Sequence, residues 1–195
     1  MGSSSRPLVN STPDRARNFR APTRWYRDCV IRMQLVGVRV EVPTNQPIVL
    51  LREVDGDRSL PIFIGNPEAT AIVHSMQGLS TPRPMTHDLL KTLLDDFGAT
   101  LRSVTITELH ERTFYADLEF DRAGTAMHVD ARPSDAIALA VRCGIDAVAI
   151  FVADEVLDEA GVVVDDTEHD DDGDPDAAIE EFRSFLDQIS PEDFA

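Results

Sequence analysis

The stretch Asp130-Ala131-Arg132-Pro133-Ser134-Asp135-Ala136-Ile137-Ala138-Leu139-Ala140-Val141 places an acid, a guanidinium, a hydroxyl and a second acid where an extended run meets a helix. A residue before proline is pushed out of the helical region, so the strand ends between Asp130 and Arg132. Pro133 has the fixed φ that suits a first helical turn. The apolar run that follows closes with Arg142 near its end and Gly144 just past it. Polar side chains at such a junction surround free backbone N–H groups with partial positive charge, a place for an anion or for ordered acids.

The junction has a weaker echo. Setting Pro67 on Pro133, an offset of 66 residues, lays Gly65-Asn66-Pro67-Glu68-Ala69 over Ala131-Arg132-Pro133-Ser134-Asp135 and brings Gly78 onto Gly144. Upstream, the Asp55-Gly56-Asp57 turn falls on Asp121-Arg122-Ala123, each between two strand-like runs. The expected fold class is therefore α+β, a duplicated unit of three strands and a helix with mixed or antiparallel sheets packed against helices.

Outward from the two junctions, alternation marks a strand from Cys29 to Val42, and Ile48–Val54 and Arg58–Ile64 form a hairpin around Asp55-Gly56. A helix from Pro67 to about Gln77 follows. Thr86 serves as N-cap of a second helix, whose Leu89, Leu90, Leu93, Leu94 and Phe97 form an apolar stripe expected to be core. Three extended runs lead to the Pro133 helix, and Ala147–Ala153 is a short buried strand. The organisation expected is a disordered leader over 1–28, an α+β domain over 29–161, an acidic linker over 162–174 and an amphipathic C-terminal helix over 175–195.

Hydrophobic residues make up 43% of the 195, enough for a core, and the formal charge of −17 is unevenly spread. Residues 1–32 carry 7 Arg against 2 acids, residues 33–152 carry 10 basic against 16 acidic, and residues 153–195 carry 1 basic against 17 acidic. A basic face for phosphate neutralisation is not promised by this balance, so nucleic-acid contacts are expected to be local and weak. Cys29 and Cys143 form neither a disulfide framework nor a zinc spacing and suit a reduced, cytoplasmic protein. No apolar run approaches membrane-spanning length. The acidic stretch with Glu168, Asp170, Asp172 and Gly173 fails as a calcium loop, because Ile179 stands where a bidentate Glu is required.

Two accounts of the junction residues compete. In the bland one the acids cap helices, Arg132 pairs with an acid, and His74 is a hydrogen-bonded core histidine. In the functional one, Asp130, Asp135, Glu68 and Asp88 approach one another and hold Mg²⁺ or Mn²⁺. His87 then activates water, Arg83 and Arg132 hold the phosphate, and Ser134 is counted with the catalytic residues of the junction. No Ser-His-Asp elbow, phosphate-binding glycine loop or dinucleotide fingerprint is present.

From Met33 to Gly161 the chain resembles the bifunctional nuclease (BFN) family. The motifs are Leu60-Pro61-Ile62-Phe63-Ile64-Gly65, Glu68-Ala69, Arg83-Pro84-Met85-Thr86-His87-Asp88-Leu89-Leu90, Thr113-Phe114-Tyr115-Ala116 and the Asp130–Ala140 junction, in order. The closing Phe185–Phe194 looks like the tail of actinobacterial members. The resemblance implies an α+β fold, a homo-oligomer and the DNase and RNase activity attributed to plant members, without a settled catalytic set. Some members carry a helical UVR segment at the C-terminus; the acidic tail here, with a single Arg, departs from it, so no partner of that segment carries over, and the tail and last helix are themselves candidates to meet a protein partner.

Overall fold

A computed structural model of the chain describes residues 29–42 and 44–163. The leader over 1–28, nearly all of the acidic linker and the C-terminal segment over 175–195 lie outside the described residues.

The described residues form eight strands and four helices. They are β1 (Val30–Glu41), β2 (Gln46–Glu53), β3 (Arg58–Phe63), α1 (Asn66–Met76), α2 (Thr86–Asp96), β4 (Ala99–His110), β5 (Thr113–Arg122), β6 (Thr125–Ala131), α3 (Pro133–Gly144), β7 (Ala149–Ala153), α4 (Asp154–Ala160) and β8 (Val162–Val163). All strands join one mixed sheet in the order β6-β5-β4-β7-β1-β2-β3-β8, where only the β4–β7 pairing is parallel. The repeat is visible in space. β1-β2-β3-α1 and β4-β5-β6-α3 are two meander-plus-helix units, and β7 is the strand that joins them edge to edge. Val162 and Val163, expected in the linker, instead pair with Ser59 and Arg58.

Strand alternation puts one apolar face on the core. Register aligns Leu35, Leu51 and Leu60 in one row and Ala116, Ile106 and Val152 in another, and these side chains are nearly or fully buried. Arg32, Gln34, Ser103, Thr105, Asp117 and Glu119 fall on the opposite parity, which makes the second face polar. Of the helices, α3 is the most enclosed: Ala136, Ile137, Ala138, Leu139 and Ala140 are all buried. A helix apolar all round belongs in an interior, and its three alanines let α1 and α2 both pack closely on it. Burying an Ile or Leu side chain contributes about 1.5–3 kcal/mol.

The apolar stripe of α2 is not core, contrary to the expectation from its spacing. Leu89, Leu90, Leu93 and Phe97 are exposed, Phe97 by 63%, and only Leu94 reaches the core. Periodicity reports that a helix has an apolar side; it does not report what covers that side. The start of α2 also differs, since Thr86 is already helical. Met85 stands at the N-cap position, and its N–H donates to Asp88 Oδ2 at 2.8 Å.

The β5–β6 hairpin turns through Ala123 and Gly124, at φ 52° and 81°, with Arg122 facing Thr125. Two consecutive positive φ values define the hairpin turn that favours Asn-Gly, and alanine is strained there. Ala123→Asn is expected to stabilise the protein by about 0.5–1 kcal/mol in urea unfolding. A neutral or negative change would refute this reading of the turn.

Candidate functional site

Three helices begin beside one another, and their first turns supply the charged groups. Glu68 lies in the first turn of α1, His87 and Asp88 in that of α2, and Asp135 in that of α3, with Arg132 at the α3 N-cap position. The acids are where helix dipoles favour negative charge. Arg132 connects two of the helices: Nε donates to Asp135 Oδ2 at 2.7 Å, and Nη2 donates to Glu68 Oε1 at 2.7 Å and Asp135 Oδ1 at 3.2 Å. His87 Nε2 lies 3.1 Å from Asp135 Oδ1 and brings in the third helix.

Burial divides the group. The His87 side chain is only 9% exposed, whereas that of Arg132 is 67% exposed, and its Nη1 has no partner among the described residues. With Asp135 accepting at Nε2, the neutral imidazole holds its proton there and keeps a lone pair on Nδ1. That Nδ1 makes no hydrogen bond among the described residues. Burial pushes the Asp135 carboxyl up, but bonds from Arg132 and His87 outweigh it and hold the group below its ordinary value. Asp135 is thus an anion that orients the ring.

The expected gathering of four carboxylates is only partly realised. Glu68 and Asp135 converge, but on a guanidinium. Asp88 turns the other way and accepts from Nε of Arg142, read in the sequence only as the basic residue near the end of the helix, whose Nη1 donates to Ala138 O at 2.9 Å. Burial raises the Asp88 carboxyl, and the bonds from Arg142 and the Met85 N–H bring it below its ordinary value. Asp130 belongs to the polar face of the sheet, opposite Asp117 in the β5–β6 register, because alternation points it away from the neighbouring Ala131. Arg83 is exposed in the loop before α2, without a side-chain partner among the described residues, and Ser134 is buried.

These donors do not fit a resident Mg²⁺ or Mn²⁺. The oxygens of Glu68, Asp135 and Asp88 that would ligate an ion face arginines, and Asp130 is separate. Among the described residues no group of three or more His, Cys, Asp or Glu side chains is disposed to hold a metal ion.

A second histidine–carboxylate pair was invisible to motif spacing. His128 Nδ1 lies 2.7 Å from Asp117 Oδ2; Asp117 is 3% exposed, and its Oδ1 has no partner. Burial raises the Asp117 carboxyl despite His128. The signal was the hairpin register: once the turn is placed at Ala123-Gly124, the two become diagonal neighbours. His74 is half-buried, and its Nδ1 lacks the hydrogen bond expected of it.

The lowered carboxyls make an acid-side prediction. A carboxyl with a depressed folded value stabilises the fold above its unfolded value, about 3.9, and loses that contribution as pH falls through the folded value. The contribution of Asp88 and Asp135 is therefore expected to be full at pH 7 and to decline below about pH 4. Urea unfolding across this range should show wild type losing more stability than the Asp135→Asn variant; equal losses would refute it.

Comparison with known proteins fits the geometry. The model of the bifunctional nuclease domain matches residues 49–165, which include every residue of the three-helix cluster. The chain belongs to this bifunctional nuclease domain family. An uncharacterised protein of Mycobacterium tuberculosis is 48% identical over 165 residues, 83% of this chain and 96% of that one. Bifunctional nuclease 1 of Arabidopsis thaliana is 31% identical over 103 residues, 51% of this chain and 32% of the plant protein. Bifunctional nuclease 1 of Oryza sativa subsp. japonica is 30% identical over 102 residues, 51% and 31% respectively. The family match begins inside β2, so β1 stands outside the matched span.

Proposed function

We propose that the protein is a nuclease of low sequence specificity, cleaving phosphodiesters of DNA or RNA at the junction of α1, α2 and α3. The observation that carries this reading is the Asp135–His87 pair next to the exposed guanidinium of Arg132, which Asp135 also holds. His87 acts as general base; Arg132 and Arg83 receive the phosphate; Asp135 positions both His87 and Arg132. Glu68 orients Arg132, and Ser134 lies buried beneath. Family membership supports the reading, as do the names of the plant relatives. Glu68 and Asp135 balance Arg132 and Arg83 in formal charge, so substrate binding is weak and falls with salt.

The test is cleavage of end-labelled single-stranded DNA and RNA of one sequence, in EDTA and in Mg²⁺ or Mn²⁺, by wild type and His87→Ala. Wild type should cleave one of the substrates and His87→Ala should be inactive; equal rates for the two proteins would refute the assignment.

A second reading, a non-catalytic binding or assembly module in the cytoplasm, draws on the uncovered apolar face of α2. Both readings are compatible with a homo-oligomer built on that face. Light scattering is expected to give a mass above that of one chain, falling to one chain when Leu93 and Phe97 are both changed to Asp. An unchanged mass would remove α2 from the interface. The acidic tail remains a candidate binder of another protein. No helix among the described residues is long and apolar enough to cross a membrane.

A further inference from the structure

The helix layer leaves one apolar stripe in water. Leu89, Leu90, Leu93 and Phe97 share a side of α2 and are between 39% and 63% exposed. A contiguous stripe of large apolar side chains marks a contact surface, whereas scattered single ones do not. The chain carries a second stripe of the same kind outside the described residues. Ile179, Phe182, Leu186 and Ile189 recur at intervals of three and four, with charged residues between them. That period is the apolar side of an amphipathic helix, which needs a surface to cover it. Residues 179–189 number eleven, as does α2, so the two stripes are each about 16 Å long.

We infer that the apolar face of α2 receives residues 179–189 of a second copy of the chain, and that the exchange is reciprocal. This rests on the oligomer at α2 described above and names what covers that face. Packing α2 on the α2 of a second copy would bury one stripe and leave the other in water; α2 against the C-terminal segment buries both. The linker decides in favour of a second copy. The described chain leaves the sheet through β8, which pairs with Arg58 and Ser59 of β3, whereas α2 packs on α3 and β4. β4 lies five strand positions from β8, about 24 Å across at the usual strand spacing. Residues 164–178, fifteen in number, reach about 50 Å when extended. Residues 165–174 hold seven acids and no Lys or Arg, and like charges along a linker repel one another and extend it. Such a linker carries the segment past its own α2 and within reach of a neighbour's. Each copy gives one segment and takes one, an isologous arrangement that closes at two chains.

The experiment is light scattering on three full-length proteins at one concentration: wild type, Phe182→Asp with Leu186→Asp, and Leu93→Asp with Phe97→Asp. Wild type is expected at twice the 21.5 kDa of one chain, and each double variant at the mass of one chain. Circular dichroism checks that both variants are folded, and the C-terminal variant leaves every described residue unchanged. Wild type at the mass of one chain would overturn the inference, because a segment seated on its own α2 leaves the chain alone. Three or more chains would overturn the reciprocal exchange. Wild-type mass in the C-terminal variant, with loss of mass in the α2 variant, would overturn the inference and leave the oligomer at α2 intact. Loss of mass in the C-terminal variant alone would mean that the segments pair with each other, which overturns the inference and removes α2 from the interface.

Discussion

Asp135→Asn is expected to lower the rate of RNA cleavage by about a hundredfold to ten-thousandfold while the protein stays folded. The change keeps the shape of the side chain, and an amide oxygen at the Oδ1 position still accepts from His87 and from Arg132 Nη2, while the amide nitrogen gives up the bond from Arg132 Nε. It removes the negative charge. A neutral amide neither favours the Nε2–H tautomer as strongly nor stabilises the imidazolium formed when His87 takes a proton. The pH–rate profile separates this role from a structural one. The variant's profile should differ in shape from that of the wild type, because the variant has no anion beside the ring, whereas a merely structural loss would scale the rate equally at every pH. A variant with the wild-type rate and profile would mean that Asp135 serves only the fold.

The second large effect belongs to Arg142, and to stability alone. Arg142→Ala is expected to cost about 2–4 kcal/mol, which for a chain of this length lowers the melting temperature by about 4–16 °C. The Arg142 side chain is 6% exposed; it holds Asp88 through Nε and Ala138 O through Nη1, and Met85 Sδ lies 4.0 Å from Nη2. Its removal strands a carboxylate of α2 and empties volume between α2 and α3. Asp88 is 38% exposed, so water recovers part of the loss. Arg132→Ala makes the contrast: it breaks two ion pairs where Arg142→Ala breaks one, but the side chain is mostly exposed, and an exposed pair contributes about 1 kcal/mol or less. Thermal unfolding of the two variants side by side tests both statements. Equal losses would show that burial does not decide what these arginines do.

The same contrast explains what a reader of the residues could and could not find. The Arg132-Pro133 junction, the echo at Pro67 and the all-round apolar run from Ala136 to Val141 are local statements about backbone φ and burial. They led to β6, α1 and α3 and to two repeated units at the observed spacing. The α2 stripe shows the limit of such statements: Leu89, Leu93 and Phe97 keep their helical period, yet the helix layer leaves them uncovered. Arg142 likewise looked like an ordinary C-terminal cation until α2 was laid beside it.

Side-chain chemistry and the positions of the helix starts are thus properties of the chain as written, since proline geometry, capping acids and apolar period act within a few residues. Which acid meets which arginine is decided in three dimensions. Glu68 and Arg132 stand 64 positions apart, His87 and Asp135 48, Asp88 and Arg142 54. Electrostatic attraction acts over a few ångströms, and only the packing of α1 and α2 against α3 brings those groups that close, sending Asp88 to one arginine and Glu68 and Asp135 to another.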